Sequence, residues 1–189
     1  MKVEALLELI KSRRSIMPPQ YDGEEITEQE LNMILESANW APTHKRTEPS
    51  RFIILQGKAL NRFSEFMLSQ YDENTAPENR SERKIEQIRE KCLKSDKIIL
   101  ICVKYSGKVP DWEEVASVSA GVQNMWLMCT ALGIGSYWST PAAIQKMDEF
   151  SEMEEDEKCI GIFYMGKFNR ELPKGNRGPI EEKTKFIHH

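Results

Sequence analysis

"WEEVASVSAGVQNMWLMCTAL", Trp112 to Leu132, decides how the chain is read. After Glu114 it carries no charge. Small residues (Ala116, Ser117, Ser119, Ala120, Gly121) alternate with large ones. A helix apolar nearly all round is buried all round. In a chain of 189 residues, so long a helix implies that a partner subunit covers part of it. The small residues permit close approach of another helix.

Outward from this segment, apolar runs bounded by turn residues read as buried strands: "DKIILICVKY" before it, "KCIGIFYMGKF" after it, and "RFIIL" (51–55) upstream. "GIGSYWSTPAAI" reads as a short strand and a helix start, with Pro141 in the first turn. Towards the N-terminus, Val3, Leu6, Leu7 and Ile10 form a helical stripe that Pro18-Pro19 cannot continue. Thr27 caps a second helix, with Glu30 three residues on to complete a capping box. Leu31, Ile34, Leu35 and Ala38 share one face of it, and Pro42 closes it. A helix is expected near 58–70, a polar surface connection from Tyr71, and then a charged amphipathic helix, "RKIEQIREKCLKS". The order is α-α-β-α-α-β-α-β-α-β, without βαβ regularity, repeat or second domain. The class is α+β, one domain over 1–189 with an extended tail from about 170.

A net charge of −4 argues against a nucleic-acid partner. Cations are nevertheless dense at Arg13/Arg14, Lys45/Arg46 and Lys174/Arg177, which suits a small anionic ligand. Cys92, Cys102, Cys129 and Cys159 are widely spaced, which reads as free, mostly buried thiols in the cytoplasm. No apolar run is long enough for a membrane span, and the N-terminal apolar residues are interrupted by Glu4 and Glu8, unlike a signal peptide. Two of the three histidines are the last two residues, and there is no nucleophile elbow, no metal-ligand spacing and no Walker loop. Chemistry, if present, must then come from a cofactor.

Three short stretches could hold one. Arg13, Arg14 and Ser15 offer guanidinium forks and a hydroxyl, a donor set for phosphate; taken alone, cations at a solvated helix end are the commoner reading. "APTHKRTEPSRF" is a polar loop leading into a buried strand, a site or a plain turn. "YWSTP" ends a strand, either lining a cleft or supplying a core Trp and a cap.

Together and in this order, "RRS", "AP" with "PSRFIIL", "SAGVQNMWLMCTALGIGSYWS" and "IGIFYMGKF" with "RGPIEEK" resemble the nitroreductase family of FMN-dependent oxidoreductases, over about Ala5 to Phe186. "WAPTHK" and Trp138 incline towards its small bacterial branch. The resemblance implies a central, mostly antiparallel sheet surrounded by helices, in an intertwined homodimer with FMN at the interface. It implies Arg13 and Arg14 on the FMN phosphate and ribityl group, Ser15 on the ribityl or ring edge, and Arg177 completing the phosphate site. Trp40 and His44 would reach the flavin from the other subunit, and Trp138, Ser139 and Thr140 would line its ring. Hydride would pass from NADH or NADPH through flavin N5 to a nitroaromatic, quinone or enone in ping-pong fashion, with Lys45 a candidate charge near N1/O2. Alternatives are a flavin-binding dimer without turnover and a specialised flavin enzyme of the same fold (flavin fragmentation or reductive dehalogenation). The chain departs from the pattern at Glu48, where many relatives have Asn or Gln, at Ser50, where several have Trp, and at Lys167, in "GKF" for "GYP".

Overall fold

The computed structural model describes residues 2–172 and 174–188. Helix α1 (Val3–Ser12) is followed by a 3-10 turn at Pro18–Gln20 and by α2 (Glu28–Asn39). Strand β1 (Ser50–Gln56), α3 (Lys58–Glu73), α4 (Glu82–Leu93) and β2 (Lys97–Lys104) come next. Then α5 (Asp111–Ala131) leads to β3 (Ile134–Ser139) and β4 (Glu157–Lys167). The strands form one antiparallel sheet in the order β1-β2-β4-β3.

Alternation along β2 decides what lies on each face. Ile99, Ile101 and Val103 join α2 and α5 in one apolar cluster, with Ile34, Val118 and Met125 at its centre. Ile98, Leu100 and Cys102 face α3 and α4 in a second, around Phe63, Met67 and Met147. Helices thus cover both faces of the sheet, and β2 is buried on both, as its unbroken apolar run requires.

The cap on α2 forms as its sequence dictates. Thr27 Oγ1 accepts from Glu30 N (3.2 Å), and Glu30 Oε2 accepts from Thr27 N (2.8 Å). The Thr27 N–H bond holds the Glu30 carboxyl below its ordinary value. Glu30 also pairs with Lys167 (3.1 Å), so the lysine of "GKF" ties β4 to the start of α2.

Three expectations change. The segment after Pro141 is a 3-10 helix, Ala142–Glu149, not an α-helix. Its backbone kinks at Lys146, and Ala143 and Met147 still reach the core. α3 runs to Glu73, and the connection after it is tied down: Arg80 donates to Asp72 O and Thr75 O, and Tyr71 Oη accepts from Ser81 N. Finally, the small residues of α5 serve first within the chain. Gly121 lies against Ala38 and Ala41, and Ser117 Oγ donates to Pro42 O (2.8 Å), so part of the close approach is to α2. A second stripe of α5 (Trp112, Ala116, Gln123) stays exposed, and no residue of α1 is buried.

Candidate functional site

The N-terminal cations meet at the end of α1. Arg13, Arg14, Lys174, Gly175 and Arg177 line a cleft of about 740 Å³ with Gln123 of α5. This unites the first and last basic spots of the chain, 160 residues apart in sequence. Glu8 lies on the same rim but is paired with Lys11 (3.2 Å).

The two arginines differ. Arg14 Nη1 donates to Lys11 O (2.6 Å) and Arg13 O (2.8 Å), the bonds of a cation satisfying a helix C-terminus. The backbone of Gly175 is packed on its guanidinium, so closely that a Cβ there would collide with it. Arg13 instead lies 4.6 Å over the ring of Trp126. Its Nη1 is buried without a hydrogen-bond partner among the described residues, which is costly for a cation. Burial, then the charges of Arg177 and Arg14, hold its pKa below the ordinary arginine value. A buried donor among like charges is a fitting seat for an anion. Ser15 is exposed beside it, and the next residue, Ile16, donates its N–H to Ser136 O (3.0 Å) on the open edge of β3.

Sequence reasoning missed Trp126. It carries Arg13 on its face, donates from Nε1 to Arg14 O (3.2 Å), and stands edge-on to Phe163 at 5.7 Å. Phe163 is the ladder partner of Trp138, so Arg13, Trp126, Phe163 and Trp138 form a continuous line on one face of the sheet. The Trp138 indole lies over Gly161, where any Cβ would strike it, and its Nε1 is buried without a partner among the described residues. Ser139 ends β3 and Thr140 follows it, exposed.

Ser139 also opens onto a second cleft, of about 370 Å³, between α3, α4 and the residues after β3. Lys84 and Lys91 line it, with Lys91 Nζ 5.3 Å over the Tyr137 ring. Gln70 lines it too, 3% exposed, with its Oε1 unpartnered among the described residues. The isolated Gln in an amphipathic helix carried no sequence signal of this.

Trp40 and His44 are not part of this grouping. Trp40 is 78% exposed, and its Nε1 donates to Glu36 (2.7 Å). His44 Nδ1 sits 2.5 Å from Glu113 at the start of α5. Lys45 Nζ donates to Lys108 O (3.0 Å), away from the arginines. Residues 113 and 126 of α5 are about 20 Å apart along its axis, at 1.5 Å per residue. One chain therefore keeps the His44 loop and Arg13 at opposite ends of α5. The loop is also strained: Lys45, Arg46 and Glu48 all have left-handed backbones (φ +50°, +54° and +45°), which non-glycine residues rarely adopt.

A sequence model of the Nitroreductase family matches residues 10–167. The Escherichia coli (strain K12) protein named "Putative NAD(P)H nitroreductase YdjA" is 28% identical over 188 residues, covering 96% of this chain and 97% of that protein. The crystal structure of a nitroreductase-like family protein from Bacillus cereus superposes with a TM-score of 0.85 over 100% of this chain and 99% of that one, at 21% identity. The FMN-dependent nitroreductase NfnB from Mycobacterium smegmatis, crystallised in complex with NADPH, superposes with a TM-score of 0.76 over 98% of this chain and 99% of that one, at 16% identity.

Proposed function

The chain belongs to the nitroreductase family, and we propose that it is an FMN-dependent oxidoreductase that passes hydride from NADH or NADPH to a small nitroaromatic, quinone or enone. The observation that carries the reading is Arg13: a half-buried cation over Trp126, its buried Nη1 without a partner among the described residues, in a cleft shared with Arg14 and Arg177. The donor set fits a phosphate, and among the described residues lining the cleft the one carboxylate, Glu8, is paired with Lys11.

The chemistry supplied by bound FMN is two-electron transfer through N5, hydride in from the nicotinamide and out to the acceptor, in alternating half-reactions. The chain's own groups bind and orient. Arg13 and Arg177 hold the phosphate, Arg14 fixes the end of α1 beside them, and Ser15 supplies a hydroxyl. Trp138 walls the site and keeps water from it, while Ser139 and Thr140 place hydroxyls and backbone N–H groups at the end of β3.

The functional unit is a homodimer. The bare apolar stripe of α1 and the exposed stripe of α5 support it, since Val3, Leu6, Leu7 and Ile10 are all 40% exposed or more. Trp40 and His44 then serve the flavin of the partner subunit. All four cysteines are free thiols, which supports a reducing, cytoplasmic setting.

The test is the absorption spectrum of the purified protein, identification of the released chromophore, and anaerobic reduction by NADH or NADPH. A protein that stays colourless after incubation with FMN would sink the reading. Bound FMN that neither nucleotide bleaches would leave a flavin-binding dimer without turnover.

A further inference from the structure

The β2–β4 ladder slips by one residue between Ile101 and Cys102: Ile101 pairs with Gly161, but Cys102 pairs with Cys159, leaving Ile160 as a bulge. A bulge re-aims the side chains beyond it. In a regular strand Cys159 would share the face of Gly161 and Phe163, towards α5. The bulge turns it over, and Ile160 packs on the α5 side while Cys159 joins Cys102 in the cluster beneath α3. Two thiols therefore stand opposite each other on adjacent strands. Antiparallel partners have Cα atoms about 4.5–5.5 Å apart, inside the range a disulfide spans. The neighbouring Cys102 thiol holds Cys159 below its ordinary pKa, and Cys159 Sγ donates to Gly161 O (3.4 Å).

Access is one-sided. Cys102 is fully buried, whereas Cys159 is 7% exposed and lines a cleft of about 600 Å³. Asp148, Glu154, Glu155 and Glu157 outnumber Lys158 in its lining, Glu154 being paired with Lys104 and Glu157 with Arg51, so the cleft stays mildly acidic. Such a mouth admits a small neutral oxidant and repels an anionic one. Cys92 and Cys129 are buried singly, and burial pushes each thiol up to about 12.

We propose that Cys102 and Cys159 are a dithiol site that a small neutral peroxide oxidises to a disulfide. Cys159 sulfur attacks one peroxide oxygen, the O–O bond breaks, and a sulfenic acid and one water result. Cys102 sulfur then attacks Cys159 sulfur, the S–O bond breaks, and the second water leaves with the Cys102 proton. Two thiols are oxidised, one peroxide is reduced to two waters, and the S–S bond crosses the ladder.

The experiment exposes the native full-length protein to hydrogen peroxide, then counts thiols after denaturation and maps unreduced peptides. Free thiols should fall from four to two, with one cross-link, Cys102 to Cys159, and dithiothreitol should restore all four. Oxidised glutathione, bulky and anionic, should react far more slowly. With Cys102→Ser, Cys159 should stop at a sulfenic acid that dimedone traps; with Cys159→Ser, no thiol should be lost. Four surviving thiols, a cross-link elsewhere, sulfinic acid at Cys159 without a cross-link, or glutathione disulfide matching peroxide would each overturn the proposal. The wild-type peptide map decides even if a variant fails to fold.

Discussion

Replacing Arg13 by alanine should separate flavin affinity from protein stability. In the free protein the guanidinium lies 4.6 Å over Trp126. It carries an unpartnered Nη1 beside Arg14 and Arg177. Its cation–π contact contributes about 1–2 kcal/mol. Against that stand an unsatisfied buried donor, worth about 1–3 kcal/mol, and like-charge repulsion. The two sides nearly cancel, so the flavin-free melting temperature should hardly move. A bound phosphate changes the sign of every unfavourable contribution. The orphaned donor gains an acceptor, and the crowded cations gain a counter-charge. Charge-assisted hydrogen bonds are worth about 1.5–3 kcal/mol, so the Kd for FMN should rise roughly ten- to hundredfold. Titration by quenching of flavin fluorescence measures this, with riboflavin as the control. Riboflavin lacks the phosphate, so its affinity should be nearly unchanged by Arg13→Ala. Arg13→Lys keeps the charge without the fork and should fall between. Equal losses for FMN and riboflavin, or an unchanged FMN affinity, would refute the assignment of Arg13 to the phosphate.

Glu48 holds φ +45° directly before Pro49, so Glu48→Gly should stabilise by about 1 kcal/mol, read as a melting temperature about 2–4 °C higher. Thr27→Ala should cost about 1 kcal/mol by removing the α2 cap. The Glu30 carboxyl titrates below its unfolded value, so its contribution is present above that value and disappears as pH falls through the folded one. Melts of Glu30→Gln against the native chain should therefore differ at neutral pH and converge in acid. Gly161→Ala places a methyl where the Trp138 indole lies, and should cost about 1–3 kcal/mol while shifting Trp fluorescence.

What could be read from residues alone was whatever local chemistry decides. The Thr27–Glu30 box, the apolar run of β2 between its two lysines and the uncharged run of α5 each stand in the structure where their pattern puts them. What could not be read depends on contacts between distant segments. Nothing in "KCIGIF" marks Ile160 as a bulge, because the slip exists only relative to β2. Likewise Gly161 and Gly175 look like ordinary glycines, and only the positions of Trp138 and Arg14 show what their missing Cβ atoms make room for. The left-handed run at Lys45, Arg46 and Glu48 has no Asn or Gly to announce it. The helix expected after Pro141 is there, but it is wound as a 3-10 helix with a kink at Lys146, which nothing in "TPAAIQKMDE" marks.

The separation between Arg13 and His44 is itself an argument about assembly. Each is anchored near one end of the same helix, Arg13 on Trp126 and His44 on Glu113. A twofold axis across α5 midway between those anchors would exchange the two ends, bringing the His44 loop of one protomer to the Arg13 cleft of the other. The midpoint falls between Ser119 and Ala120, two half-buried small residues whose outward neighbours along the stripe, Ala116 and Gln123, are exposed. Small side chains at the crossing are what close helix contact across such an axis requires, because a twofold contact sets the same patch against itself. Ala120→Glu would then place two like charges at the crossing without touching the arginine cleft. It should yield monomers in size-exclusion chromatography and a matching loss of FMN. A monomer that retained FMN at native affinity would show that one chain completes the site, and that Trp40 and His44 play no part in it.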